Sequence, residues 1–321
     1  MTTVTMEWEN RLGRRLRVRD LYILSTVVNS GGMAKAARQL AMSQPAVSEA
    51  IANLEHILRV PLLDRSPKGI EPTIYADALL KRSTAVFDEL MQSVRDIEFL
   101  ADPTMGELKI GCPESLTATI LPLMIERFSK KYPRVVVCVE DVPSPAVKDP
   151  GLRNRKYDLS LVRLRTPPPA DHLVDDLNIE TLFDDPLVLA AGIHNPWTRR
   201  RKIDLAELID EPWILPPPNT WNYTCVAEAF NAHGLEIPKA RMIGFSVHLL
   251  SHFLANGPFI SAHPSSVVQL HALKALAVDV PLRPWPVAIL TLKNRTLSPV
   301  VERFIECARE VAKSLPHTRK S

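Results

Sequence analysis

Apolar residues repeat every three or four positions through the first hundred residues, the spacing of amphipathic helices. Val18, Leu21, Leu24, Val27 and Val28 make one face of a helix over 18–29, which ends at Gly31-Gly32. Ala34, Ala36, Ala37 and Leu40 give a second, shorter helix with a small, close-packing face. Met42-Ser43 is the turn, and Ser43 is the N-cap of a third helix, its hydroxyl accepting from orphan backbone N–H groups. Pro45 fits the first turn, where its missing N–H removes no bond. Ala46, Val47, Ala50, Ile51 and Leu54 pattern the rest, leaving Gln44, Pro45, Ser48 and Glu49 on the outer, N-terminal side. From Arg59 to Thr73, short apolar pieces flank a Ser-Pro-Lys-Gly tip and predict a two-stranded wing. Leu79, Ser83, Val86, Leu90, Val94, Ile97 and Ala101 then step by fours and threes, a seam for another helix. Such a rod is about 40 Å long. It packs on its own winged unit or, more economically, on the same helix of a second subunit. Asp102-Pro103 ends it.

Past Gly106 the period changes. Glu107–Cys112 reads as a strand, Leu116–Tyr132 as one amphipathic helix, Val135–Val139 as a buried strand, 146–153 as a short helix and Tyr157–Val162 as a strand. That alternation indicates a parallel sheet. Thr166–Pro169 is a loop. Leu187–Ala191, Met242–Phe245 and Pro258–Ala262 are strands of a second unit, with helices over 220–232 and 246–255. Trp285–Leu292 and Ser298–Leu315 supply a last strand and helix. The expected order is a flexible lead (1–16), a mainly α winged helix-turn-helix (17–74), a linker helix (75–103) and a two-lobed α/β unit (106–316). Its first lobe would hold 106–180 and 283–315, its second 181–282, so the chain crosses between lobes twice.

Composition narrows this only a little. The chain has 321 residues, 46% of them hydrophobic, enough for two or three cored domains. A net charge of +3 does not by itself point to nucleic acid. Arg11, Arg14, Arg15, Arg17 and Arg19 form a basic cluster that either touches phosphates or is a solvated charge run. Cys112, Cys138, Cys225 and Cys307 are widely spaced, with no metal-ligand spacing, and read as reduced thiols. The first twenty residues lack the apolar core of a signal peptide, and no stretch is long and apolar enough to span a membrane, so a cytoplasmic protein is expected.

Two places carry candidate chemistry. On the third helix, Ser43, Gln44, Pro45, Ala46, Ser48 and Glu49 are placed to meet DNA. Gln44 can pair its amide with an adenine edge, Ser48 can reach a base or phosphate, and Pro45 and Ala46 offer apolar contact to a thymine methyl. Arg65 and Lys68 on the wing would hold phosphates or enter the narrower groove. The second place is the cleft beyond the carboxyl ends of the strands, where open parallel sheets bind ligands. Ser115, Leu116 and Thr117 follow the first strand at a helix start suited to an anion, or to simple capping by Ser115. Glu114 nearby opposes an anion unless it points away. Arg163 either clamps a carboxylate or forms a surface ion pair. Asn219 and Thr220 cap a helix or bind ligand; Trp221, Ser261 and His263 lie close by. Catalysis has little support. His248-Leu-Leu-Ser-His252 lacks the glutamate a zinc-protease motif needs at position 249, and no nucleophile elbow, Walker loop or GxGxxG occurs. No cofactor, metal or catalytic residue is expected.

The wording of the helix-turn-helix is specific. AA-x-x-L from Ala36, SQPAVS from Ser43, I-x-x-LE from Ile51 and PLLDR from Pro61 resemble the DNA-binding domain of LysR-type transcriptional regulators. The resemblance is strong over residues 17–75 and extends by pattern over the rest. It implies a dimerising linker helix and an effector-binding domain with the fold of periplasmic solute-binding proteins. It also implies a homodimer or homotetramer on double-stranded DNA, a small-molecule effector of anionic character, and RNA polymerase as a further partner. Effector closing the lobes would change DNA bend. Glu49 stands where the family often has a basic or amide residue, and Gly32 and Ala34 replace common Ser or Thr, which suggests an unusual site preference. The rival readings are a solute-binding or protein-interaction module without DNA binding, and an enzyme built on the α/β lobes.

Overall fold

A computed structural model describes residues 15–66, 69–142, 149–164, 174–218, 220–280 and 285–315, with the side chains of Arg65, Ser66 and Trp221 excepted. Residues 1–14, Lys68, 143–148, 165–173 and Asn219 lie outside the described residues. The chain forms two compact units that divide between Met91 and Gln92.

The first unit holds α1 (Val18–Ser30), α2 (Met33–Gln39), α3 (Gln44–Leu58), the hairpin β1 (Leu63–Ser66) and β2 (Gly69–Pro72), and the start of α4 (Ile74–Ala101). Gly31 takes the left-handed conformation (φ 69°) that ends α1, a geometry costly for a residue with a Cβ. Leu24, Val27, Ala36, Val47, Ile51 and Leu54 close one core, and Ala36 and Ala37 let α2 approach the neighbouring helices closely. The Glu55 carboxylate accepts from the N–H groups of Leu62 (2.8 Å) and Leu63 (3.3 Å), pinning the start of the wing to the end of α3. Along α4, Leu79 and Leu80 pack on this core. Farther on, Val86, Leu90, Val94 and Ile97 are exposed, Ile97 at 67%.

The second unit contains two five-stranded sheets. One is ordered β4-β3-β5-β12-β6, from β3 (Met105–Cys112), β4 (Arg134–Asp141), β5 (Leu159–Arg163), β6 (Leu177–Asp184) and β12 (Pro286–Leu292). Here β3 runs parallel to β4 and β5, while β12 is antiparallel to β5 and β6, so the sheet is mixed. The other is ordered β11-β7-β10-β8-β9, from β7 (Leu187–Gly192), β8 (Trp213–Leu215), β9 (Ala240–Ile243), β10 (Ile260–Pro264) and β11 (Leu273–Ala275). Helices α5 (Glu114–Thr117), α6 (Ile120–Lys131) and α10 (Pro299–Ser314) belong to the first lobe. Helices α7 (Trp221–Ala232), α8 (Val247–Asn256) and α9 (Ser265–Leu270) belong to the second. Phe128 and Phe304 meet edge to face (5.5 Å) in the first core, and Trp213 and Phe230 (5.4 Å) in the second. The Trp213 indole N–H is satisfied by the Leu208 carbonyl at 2.7 Å. A buried ion pair, Arg295 to Asp158 at 2.9 Å, ties the end of β12 to the start of β5, and Asp158 also accepts from the Lys109 N–H at 2.9 Å.

Several sequence expectations change: besides the parallel sheet, which is mixed, the described part of the expected helix over 146–153, residues 149–153, is not helical. The single helix over 116–132 is broken at Thr119 (φ −131°, ψ −78°), because Pro122 offers no N–H to the carbonyl four residues back. The run 135–139 is not a buried strand: β4 is an edge, and Val136 is 60% exposed. The first lobe takes in β6 to Asp184, a few residues beyond the expected crossing, because β6 pairs with β12 along its length.

Candidate functional site

On α3, burial and exposure separate by face. Val47, Ile51 and Leu54 are wholly buried, while Gln44, Pro45 and Glu49 are exposed and Ala46 and Ser48 half-buried. Ser43 caps the helix as expected, its Oγ accepting from the Ala46 N–H at 3.3 Å. The outer stripe continues through exposed Ala52, Asn53 and His56. Beside it lies a groove that Arg17, Arg19, Glu49, Asn53 and His56 help to line. Sequence reasoning did not single out Asn53 and His56; their four- and seven-residue distance from Glu49 was the available signal. Asp20 is buried. Burial raises its carboxyl pKa, against the pull of Arg17 and Arg19. Arg65 lies on β1 opposite Ile70, with its side chain outside the described residues, as is all of Lys68.

The second place is a cavity of about 270 Å³ between the two sheets, lined from the first lobe by Pro113, Glu114, Ser115, Asp141, Val142 and Arg163. The second lobe adds Pro216, Thr220, Asn222, Gly244, Phe245, Val247, Leu250 and the β10 residues 261–264, and Trp285 closes it at the crossing. The strand ends converge here: Cys112 is in register with Asp141 on β4, and β5, beside β3, ends at Arg163.

Of the expected ligand residues, Ser115, Arg163, Thr220, Ser261 and His263 come together in this lining. Leu116 does not: it is fully buried in the first-lobe core. Thr117 turns its hydroxyl back to the Glu114 carbonyl at 3.0 Å. The helix-start argument for an anion also weakens, since α5 is a single turn with no side-chain cap. Asn219 lies outside the described residues. Thr220 caps α7, accepting from the Tyr223 N–H at 3.4 Å and donating to the Pro217 carbonyl at 2.7 Å. The Ser261 hydroxyl donates to the Ile214 carbonyl at 2.8 Å.

Arg163 is neither a free clamp nor a surface pair. Its side chain is 3% exposed and its Nη2 is bound by the Asp185 carboxylate and by Ser266 Oγ (3.1 Å). Asp185 also accepts from Ser265 Oγ (3.0 Å) and from the Ser266 N–H (3.0 Å) and Oγ (2.6 Å). The Trp285 ring lies 5.4 Å from the guanidinium carbon. This network ties Arg163 to the second lobe where the chain crosses between lobes. At the mouth, Ser246 Oγ of the second lobe donates to Glu114 Oε1 of the first at 3.0 Å.

His263 is buried, and burial, then neighbouring His271, pushes its pKa down to about 4, so it is neutral at pH 7. Burial pushes the Cys112 thiol up, away from the reactive thiolate. Among the described residues no group of three or more His, Cys, Asp or Glu is placed to hold a metal, and no helix is long and apolar enough to cross a membrane.

Two family models match the chain, one over each of its parts. Residues 18–77 match the model for bacterial regulatory helix-turn-helix proteins of the lysR family, and residues 101–313 match the LysR substrate binding domain. The chain is 24% identical to the HTH-type transcriptional regulator TdcA of Escherichia coli over 297 residues, covering 92% of this chain and 93% of that one. It is 28% identical to the uncharacterized HTH-type transcriptional regulator YybE of Bacillus subtilis over 304 residues, 93% and 97% of the two chains. Among solved structures, a full-length OxyR variant from Pseudomonas aeruginosa superposes with TM-score 0.62 at 21% identity, covering 95% of this chain and 99% of that one. Full-length CbnR complexed with its target DNA superposes with TM-score 0.52 at 23% identity, over 92% and 100%. Matched in both of its parts, the chain belongs to the LysR family of DNA-binding transcriptional regulators, with a helix-turn-helix followed by an effector-binding domain of two α/β lobes.

Proposed function

We propose that α3 reads the major groove through Gln44, Pro45, Ser48 and Glu49, with Ser43 and Ala46 at its entry, and that Arg65 and Lys68 of the wing steady the duplex. The observation that carries this reading is the division of α3 into a face fixed in the core and an N-terminal face on which Gln44, Pro45 and Glu49 are exposed among the described residues. Residues 17–74 act as the reading domain, and 75–103 as the rod. Two copies pair through Val86, Leu90, Val94 and Ile97, whose exposure on a continuous helix supports a partner of the same kind. Two such pairs make a tetramer on an imperfect inverted repeat in the cytoplasm. The chain acts by binding and catalyses no reaction.

The effector occupies the cavity between the lobes and presents an anionic group to Arg163. Support comes from the unmet donors of that side chain: its Nε and Nη1 have no acceptor among the described residues. Closing of the lobes around the effector alters DNA bend and the access of RNA polymerase, and it does so only as far as the ligand prefers one arrangement. Footprinting of the full chain on its own upstream region tests the reading: two protected half-sites in inverted orientation are expected, and a uniform, sequence-independent cleavage pattern would overturn it.

A further inference from the structure

We propose that the effector is a small α-amino acid with an apolar side chain. The inference rests on the interlobe cavity being the effector site and concerns what that cavity selects.

Three observations converge. The first is charge. Arg163 lines the cavity and has two buried donors, Nε and Nη1, without acceptors among the described residues, which a ligand carboxylate would satisfy. Yet the charge of Arg163 is already matched by Asp185, and the same lining carries Glu114 and Asp141. Among the described residues, the Asp141 carboxylate has no hydrogen-bond or ion-pair partner and the Glu114 carboxylate has only the Ser246 hydroxyl. A purely anionic ligand would face two carboxylates with no balancing cation. A ligand that brings its own ammonium next to its carboxylate satisfies both ends.

The second is placement. Asp141 and Arg163 stand at the carboxyl ends of the two strands that flank β3, and Glu114 follows β3 by two residues. The acidic and basic groups therefore border one end of one sheet, within the reach of a small molecule. The third is size and wall. A cavity of about 270 Å³ lies at or below the small end of ligand pockets, which run from about 300 Å³ upward. Apolar side chains, Pro216, Phe245, Leu250 and Trp285 among them, line much of the rest, beside the polar Ser115, Thr220, Asn222, Ser261 and His263.

Calorimetric titration of the full chain tests this with leucine, its deaminated carboxylate isocaproate and its decarboxylated amine isoamylamine, repeated for the valine, methionine and phenylalanine sets. At least one amino acid should bind about tenfold or more tightly than both of its truncated counterparts. Asp141→Asn and Glu114→Gln should reduce that discrimination against the deaminated acid, a change that a loss of fold alone would not single out. Isocaproate or its analogues binding as well as the amino acids would overturn the inference while leaving the cleft as the effector site. Equal binding by the amines would overturn it as well. Silence from every probe would overturn both the inference and the assignment of the cleft.

Discussion

Single side chains carry much of the account. Ser43 closes the turn into α3 by one hydrogen bond, so Ser43→Ala should cost about 1 kcal/mol of the first unit's stability, measured by urea unfolding; no change would mean the cap is dispensable. This residue was legible from sequence because capping is local chemistry. Arg163 was half legible. Its position at a strand end pointed to the cleft, but its partner Asp185 lies 22 residues on, across the crossing between lobes, and no local pattern announces such a pair. Leu116 failed as a ligand residue because a one-turn helix beside a sheet must bury its apolar member. His263 yields a pH prediction. Its folded pKa is depressed from 6.5 to about 4, so between those values the folded chain holds fewer protons than the unfolded one. Stability is therefore full above about pH 6.5 and falls as pH drops toward 4, by at most on the order of 3 kcal/mol from this group. Burial lowers the pKa of His271 too, which adds in the same direction. Replacing His263 with Gln should flatten the dependence of the urea midpoint on pH; an unchanged slope would contradict the assignment.

At the scale of elements, legibility followed length and periodicity. The helices α1, α3, α4 and α10 were plain because each repeats apolar residues over several turns. By contrast β8 and β11, at three residues each, are too short to show a period, and β6 exists through its pairing with β12 a hundred residues later. The run of valines in β4 reads as interior in the sequence because composition does not distinguish a central strand from an edge. Helix α4 supports a direct prediction. Its exposed seam needs a partner, so the double substitution Leu90→Glu with Val94→Glu should shift the protein to monomer in sedimentation equilibrium, with like charges facing across the pair. It should also weaken binding to a two-half-site duplex far more than to a single half-site. A variant that stays dimeric would remove α4 from the interface.

At the scale of the whole molecule, the helix-turn-helix and the two-lobed effector-binding domain follow one another along the chain, joined by α4. The order of parts is readable from changes of period along the sequence, whereas the network that holds Arg163 is not, since it is assembled from β5, the crossing at Asp185 and the start of α9. Phosphate contacts should make DNA binding fall steeply with salt, so affinities are comparable only at one ionic strength. The central claim is that α3 recognises sequence through Gln44. The most direct measurement is the ratio of affinities for the footprinted site and for random duplex, at fixed salt, for the natural chain and for Gln44→Ala. The account predicts that the substitution costs about 1–3 kcal/mol on the cognate site and little on random DNA, so the ratio collapses. Equal losses on both duplexes, with the ratio preserved, would contradict it.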